Sequence, residues 1–169
     1  QCWQRLGQRC AYIGTLGAGL DELGDTQGLT TPDCIELQRL LARFRDQQAV
    51  RTVLEVSSHG LQQGRVAGTT FDAAIFTNLS RDHIDYHGDM TAYGEIKARL
   101  FTEFAPRNQV ICIDSDFGQA LAQRASRSAV LVASSADHDW RGARYVCARR
   151  SEPTPYGAQL HVQSSWGEG

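Results

Sequence analysis

The sequence predicts an α/β protein with a doubly wound, mostly parallel sheet, and three observations indicate that class. Short, nearly continuous apolar runs alternate with stretches of helical periodicity. The apolar runs have the length and texture of strands buried on both faces of a parallel sheet. After about residue 137 polar and apolar residues alternate around a proline-containing turn, which predicts a small antiparallel β hairpin near the C-terminus.

Five runs are expected to form the parallel strands, at 10–13, 53–56, 73–76, 110–113 and 130–132. The hairpin strands are expected at 144–149 and 159–164. Helices are expected at about 32–48, 91–104 and 117–124, and residues 1–7 are typical of a helix that closes on a glycine. Strand–helix–strand alternation of this kind favours right-handed crossovers in one sheet.

Composition narrows the classes of function. A chain of 169 residues suits one domain, and the 41% hydrophobic and 21% charged residues are ordinary for a globular protein. The net charge is −2 with both signs interspersed, so we expect no nucleic-acid partner and no membrane surface. Five widely spaced cysteines without a C-x-x-C pair favour a reducing, cytoplasmic location.

Polar side chains follow one predicted strand in the segment TVLEVSSHG, residues 52–60. Doubly wound sheets bind ligands at the carboxyl ends of their strands. Glu55 therefore occupies the position of a magnesium-binding carboxylate. A glutamate exposed to water at a strand end is the alternative for this segment taken alone.

A second strand-end segment, FTNLSRDHIDYHG at 76–88, carries His83 and His87 four residues apart with Asp85 between them. The spacing is compatible with a zinc pair, but the glutamate of the H-E-x-x-H motif is missing. A magnesium site that borrows one imidazole and an ordinary hydrogen-bonded histidine both remain open.

Lys97 is the only lysine beside sixteen arginines. It lies four residues after Tyr93, inside the apolar stripe of the predicted second helix. A lysine on a buried face snorkels to water, pairs with an acid or loses its proton. A neutral lysine can react with carbon dioxide to give a carbamate, an oxygen ligand for a divalent cation, whereas arginine cannot. Snorkelling is the alternative.

Two further sets of residues could contact an anion. Gln63 and Arg65 follow the strand-end serines, and the guanidinium fork of arginine suits carboxylates and phosphates. Thr30 and Thr31 precede a predicted helix, where threonines act as caps or as anion contacts.

These blocks together resemble the central domain of the Mur ligases, the ATP-dependent amide-bond-forming enzymes of peptidoglycan synthesis. The likeness is closest to the MurE (UDP-N-acetylmuramoyl-tripeptide synthetase) type. It rests on LEVSSHGLQQGRV at 54–66 and FDAAIFTNLSRDHIDYHGDMTAYGEIKARLF at 71–101, with YIGTLGAGL at 12–20, TTPD at 30–33 and WGEG at 166–169. The Asp-His pair recurs in folylpolyglutamate synthases, whereas SSHG followed by QGR is typical of the MurE type.

The resemblance implies a P-loop NTPase-like domain with ATP and Mg²⁺ as cofactors. It implies that Glu55, His83 and Lys97, the last as N6-carboxylysine, are catalytic magnesium ligands, and that Asn78 faces the nucleotide. The residues implied to bind the UDP-N-acetylmuramoyl-dipeptide are Thr30, Thr31, Ser57, Gln63 and Arg65.

The implied reaction passes through an acyl phosphate, from which the amine of a diamino acid displaces phosphate. We expect meso-diaminopimelate rather than lysine, and a monomeric enzyme. The sequence holds no G-x-x-G-K-S/T motif. We therefore expect residues 1–169 to be a central, ATP-binding domain truncated at both ends and inactive alone, with 137–169 as a small antiparallel subregion.

Three alternatives stay open at this point. One is another ligase of the Mur and folylpolyglutamate synthase superfamily. A second is a metal hydrolase built on a lysine carbamate, which would need further ligands such as Asp114 and Asp116 from other strand ends. A third is a non-catalytic module that keeps the muramoyl-peptide surface.

Overall fold

The computed structural model describes residues 2–22, 24, 28–140, 142–155 and 157–168. The chain divides into two compact units, Gln1–Thr69 and Thr70–Gly169, and each has its own sheet. The expectation of one domain over 1–169, with a subregion from about 137, stays a prediction.

The first unit consists of α1 (Cys2–Arg5), β1 (Cys10–Gly14), β2 (Gly17–Leu20), α2 (Cys34–Asp46), β3 (Arg51–Leu54) and α3 (Ser58–Gln62). Its sheet has the order β2-β1-β3. β1 runs parallel to β3, with Tyr12 opposite Val53, and antiparallel to β2. The carboxyl ends of β1 and β3 therefore lie side by side.

The second unit consists of β4 (Ala73–Phe76), α4 (Ile84–His87), α5 (Met90–Thr102), β5 (Asn108–Cys112), α6 (Asp116–Arg124), β6 (Val130–Ala133), β7 (Arg144–Thr154), β8 (Gly157–Ser164) and β9 (Gly167–Glu168). Its sheet has the order β4-β5-β6-β7-β8-β9. The strands β4 to β7 are parallel, and β7, β8 and β9 are antiparallel. The core includes Phe76, Ala98, Phe101, Ile111 and Leu121.

The two long helices form where capping and periodicity predict them. Asp33 caps α2 by accepting the amides of Ile35 and Glu36, each at 3.0 Å. Asp89 caps α5 in the same way through the amide of Ala92 at 2.8 Å. Each helix has 13 residues. Among the described residues, no helix is both long enough and apolar enough to cross a membrane.

The strands differ from the prediction in three respects. β2 was not predicted, because its sequence GAGL lacks the β-branched residues that mark a strand. β3 begins and ends two residues before the predicted 53–56. Burial on both faces is wrong for β3 and β4, because exposed residues alternate with less exposed ones and Val53 and Ile75 are 46% and 66% exposed.

The antiparallel region near the C-terminus is confirmed and is larger than predicted. β7 and β8 extend beyond the predicted 144–149 and 159–164, so the connecting turn is shorter than expected. β9 adds a third strand by pairing with β8 through Gln163 and Ser164. β7 also pairs in parallel with β6, so this region continues the sheet of the second unit.

Gly118 allows α6 to approach the end of β5, and we expect its replacement to destabilise the second unit. A Cβ atom at this position would overlap the carbonyl oxygen of Cys112 and lie 3.1 Å from its carbonyl carbon. Backbone atoms cannot rotate away, so Gly118→Ala should lower the free energy of unfolding by about 1–3 kcal/mol. Chemical denaturation measures this change. Ala120→Ser on the exposed side of the same helix is the control. Equal midpoints for the glycine variant and the wild type would contradict the close approach.

Candidate functional site

Glu55 lies directly beyond β3, and its carboxylate is held by the neighbouring end of β1. Its backbone amide donates to the carbonyl of Ile13 at 2.9 Å, which carries the β1–β3 pairing one step past the strand. The Tyr12 hydroxyl donates to Oε1 of Glu55. Oε2 accepts two bonds from Thr15, at 3.0 Å from the backbone amide and 2.7 Å from the hydroxyl. Three donors therefore fix this side chain.

These contacts keep Glu55 ionised. Burial acts to raise the pKa of the Glu55 carboxyl, but the hydrogen bonds from Tyr12 and Thr15 outweigh it, so the pKa is lowered. Burial and the bond to Glu55 both raise the pKa of the Tyr12 phenol, which therefore stays protonated as a donor. An anionic oxygen at a strand end is the kind of donor that Mg²⁺ prefers.

Thr31 and Ser57 connect the loop before α2 to the start of α3. The Thr31 side chain is fully buried. Its hydroxyl donates to the carbonyl of Glu55 at 2.8 Å and accepts the amide of Ser57 at 2.9 Å. Ser57 in turn caps α3 by accepting the amide of Gly60 at 3.0 Å. The Thr31 side chain thus has a structural role here, while Thr30 reaches the hydroxyl of Thr15 at 3.1 Å.

Arg65 is positioned by two other predicted site residues. Its Nη1 donates to the carbonyl of Thr31 at 2.9 Å, and its Nε donates to Oε1 of Gln63 at 2.9 Å. Nη2 also donates to Gln63. These bonds use three of the five N–H donors of a guanidinium. The structure thus brings all five predicted substrate residues and Glu55 together in the first unit.

In the second unit, the segment after β4 carries Asn78, which is exposed, and His83. His83 has φ of +54°, a left-handed conformation that is uncommon outside glycine. Asp82 stabilises it by accepting the His83 backbone amide at 2.8 Å and by contacting Nε2 at 3.4 Å. The imidazole is therefore oriented by its own neighbour in the chain.

Lys97 is half-buried on α5, inside the apolar stripe in which the sequence places it, four residues after the buried Tyr93 and four before the buried Phe101. Its Nζ lies 5.2 Å from the ring centroid of Tyr93. Within the described part of the chain, the ion pairs do not include Lys97. Burial lowers the pKa of the Lys97 ammonium, and the negative charge of Asp82 only partly opposes this.

Tyr93 also contacts both histidines of the His-x-x-x-His pair. The His87 ring stacks on it at 5.1 Å between centroids, and the His83 ring meets it edge-on at 6.2 Å. The two imidazoles thus lie against a tyrosine. Among the described residues, no three His, Cys, Asp or Glu side chains are grouped so that they could hold a metal ion.

Each of the three predicted metal-binding residues, considered separately, is chemically suited to bind magnesium. Glu55 offers an ionised carboxylate, His83 an oriented imidazole, and Lys97 an amine whose lowered pKa suits carbamate formation. The metal-hydrolase alternative gains no support, because Asp114 uses both carboxylate oxygens to accept the amide of Ser134, at 2.9 and 3.1 Å.

Sequence reasoning missed Tyr12 and Thr15. They lie 43 and 40 residues before Glu55, so their contacts depend on the parallel pairing of β1 with β3. The only local signal is the Gly14 between them. A Cβ atom there would lie 2.6 Å from Cδ of Glu55 and would overlap the Tyr12 hydroxyl.

This fold and these strand-end residues define a class of protein that comparison with known families identifies. The family described as the Mur ligase middle domain matches residues 1–167. The chain belongs to this family, which confirms the resemblance and the predicted fold class.

Individual relatives within this family give a more specific similarity than the family match does. The chain is 41% identical, over all of its 169 residues, to a UDP-N-acetylmuramoyl-L-alanyl-D-glutamate–2,6-diaminopimelate ligase of Ectopseudomonas mendocina, 34% of which is covered. It is 49% identical to the Xylella fastidiosa protein of the same name over 144 residues, which are 82% of this chain and 29% of that protein. A solved structure of a ligase with this name has a TM-score of 0.82 at 31% identity, covering 98% of this chain and 34% of that one. The chain thus spans about a third of these relatives.

Proposed function

We propose that the protein containing this chain joins a diamino acid to UDP-N-acetylmuramoyl-L-alanyl-D-glutamate at the expense of ATP, through an acyl phosphate, in peptidoglycan synthesis. The observation that carries the proposal is the 41% identity along the whole chain to a ligase named for this substrate and for 2,6-diaminopimelate. 2,6-Diaminopimelate, in its meso form, is therefore the proposed amino acid rather than lysine. The strand-end residues of both units support the same chemistry.

The proposed role of Lys97 is to provide an anionic oxygen. The neutral amine nitrogen forms a bond to the carbon of carbon dioxide and releases a proton to solvent, which leaves a carbamate. The lowered pKa of Lys97 increases the neutral fraction of the amine at a given pH. His83 is proposed as an imidazole ligand held in place by Asp82.

The proposed role of Glu55 is to bind magnesium as an ionised carboxylate. When bound, the ion screens the repulsion between a carboxylate and the phosphates of ATP and stabilises the transferring phosphoryl group. Asn78 is proposed to face the nucleotide, since it is exposed two residues after β4.

Substrate binding is proposed for the connected residues of the first unit. Arg65 would donate its remaining N–H groups to a carboxylate of the peptide stem, while Gln63 and the Thr31 carbonyl hold it in place. Thr30 and Ser57 would contribute hydroxyl groups, and Thr31 would act through the position it gives Ser57. The cytoplasmic location, the monomeric state and the lack of nucleic-acid or membrane partners stay predictions.

The proposal is tested with the full-length protein, ATP, Mg²⁺ and the UDP-N-acetylmuramoyl-dipeptide. With meso-diaminopimelate we expect one ADP and one phosphate for each nucleotide product, whose mass should rise by one diaminopimelate residue. Lysine supplied at the same concentration is the control and should react much more slowly. A rate of ATP hydrolysis that does not depend on the amino acid would indicate a hydrolase. Tight dipeptide binding with no turnover would indicate a binding module. Either result would contradict the ligase assignment.

A further inference from the structure

The Glu55 carboxylate is held asymmetrically. Oε1 accepts one hydrogen bond, from the Tyr12 hydroxyl, whereas Oε2 accepts two, from the amide and the hydroxyl of Thr15. A carboxylate has about four acceptor positions, two on each oxygen. The two positions on Oε2 are therefore in use, and one position on Oε1 is left.

We propose that Tyr12 and Thr15 are positioning residues that present only Oε1 of Glu55 to a divalent cation, so that Glu55 binds through a single oxygen. This inference rests on the proposed function and adds to it the way in which the carboxylate is oriented. Partners that orient a ligand in this manner typically change metal affinity or activity by about 10- to 100-fold when removed.

The backbone makes this arrangement possible. β1 and β3 are parallel, and Ile13 lies opposite Leu54, so the residues that follow the two strands are neighbours. The Tyr12 side chain reaches Glu55 across Gly14, where a Cβ atom would overlap the phenol hydroxyl and lie 2.6 Å from Cδ of Glu55. Thr15 lies between β1 and β2, which places its amide and hydroxyl on the other oxygen.

The two donors also differ in what a substitution removes. Tyr12→Phe deletes a hydroxyl and keeps the ring. Thr15→Val deletes the hydroxyl that lies 2.7 Å from Oε2 and leaves the backbone amide in place. Thr15→Ser keeps that hydroxyl and loses a methyl group. The serine variant therefore separates the loss of the hydrogen bond from the loss of side-chain packing.

The test measures Mn²⁺ binding to the full-length protein by electron paramagnetic resonance, with ligation kinetics alongside. We expect Tyr12→Phe and Thr15→Val each to weaken Mn²⁺ binding by about 10-fold or more. Thr15→Ser should stay close to the wild type. The Michaelis constant for the muramoyl-dipeptide should not change in Tyr12→Phe, which leaves the contact between the Thr15 and Thr30 hydroxyls in place. Tyr145→Phe is the matched control, because Tyr145 lies in the second unit and its ring, which phenylalanine keeps, stacks on Trp140 at 4.5 Å.

Unchanged Mn²⁺ affinity in both Tyr12→Phe and Thr15→Val, with wild-type ligation intact, would overturn the positioning role and leave the proposed function standing. Equal losses in Thr15→Ser and Thr15→Val would also overturn it, because the hydroxyl would not be the cause. The proposed function itself would be overturned by two results together: the wild-type protein does not ligate, and Glu55→Gln binds Mn²⁺ as tightly as the wild type. Thermal unfolding of each variant shows that the comparisons are made on folded protein.

Discussion

Replacing Lys97 with alanine in the full-length protein should abolish ligation and leave the fold intact. The carbamate would supply an anionic oxygen to the metal, and neither alanine nor arginine can form one. Loss of several kcal/mol of charge stabilisation corresponds to a fall in kcat of at least about a thousandfold. The buried residues Tyr93, Ala98 and Phe101 of α5 would still pack, because alanine is apolar and leaves no charge within their stripe. Ligation kinetics measure the expected loss of activity, and thermal unfolding measures whether the fold is intact.

Chemical rescue makes the prediction specific. Acetate or formate added to Lys97→Ala should restore part of the rate, because a small carboxylate can occupy the vacated oxygen position. Lys97→Arg should be inactive and should not respond, since the guanidinium fills that space with the opposite charge. Arg99→Ala, two residues further along α5, removes an exposed pair with Glu103 at 2.8 Å and should have little effect. A snorkelling lysine gives the opposite pattern, with near-normal activity for arginine and no response to carboxylates.

Much of the fold could be predicted because its signals are local. α2 was placed by Pro32-Asp33 and an apolar stripe, and its Asp33 cap and buried Leu37, Leu40 and Phe44 agree with that reading. The strands at 73–76 and 130–132 agree with β4 and β6 to within one residue. In these elements a few neighbouring residues determine the conformation, so a short window of sequence contains the information.

The features of the fold that could not be predicted depend on partners that are distant in sequence. β2 forms because a turn at 15–16 folds GAGL back onto β1, and propensity gives no sign of it. The exposure of Val53 and Ile75 depends on what covers each face of a sheet, which an apolar run does not reveal. Contacts across 40 or more residues, such as those of Tyr12 and Thr15 with Glu55, require the register of β1 and β3 before they can be seen.

The site residues also divide into those that local sequence identifies and those whose contacts depend on distant residues. Lys97 could be singled out from helical periodicity, and its half-buried position agrees with that argument. The buried hydroxyl of Thr31 binds Glu55 and Ser57, contacts that depend on residues 24 and 26 positions away and that the sequence does not reveal, and its substrate role stays a prediction. The roles assigned to Glu55, His83, Lys97 and the substrate residues stay predictions until variants are measured.

Arg65→Ala should raise the Michaelis constant for the muramoyl-dipeptide by about ten- to a hundredfold, with a smaller change in kcat. The guanidinium is held by the Thr31 carbonyl at 2.9 Å and by Gln63, so it is oriented before any ligand arrives. A charge-assisted hydrogen bond to a carboxylate of the peptide stem is worth about 1.5–3 kcal/mol, which corresponds to the expected change in affinity.

Two further variants distinguish this contact from general damage. Gln63→Ala leaves the charge of Arg65 but removes the oxygen that orients it, so its Michaelis constant should lie between those of the wild type and Arg65→Ala. Arg39→Ala removes an arginine of the same unit whose side chain is 73% exposed and pairs with Glu36 on α2, and it should be neutral. An unchanged Michaelis constant for Arg65→Ala would contradict the substrate contact. The wild-type guanidinium would then only hold Thr31 and Gln63 in place, and another group would bind the substrate carboxylate.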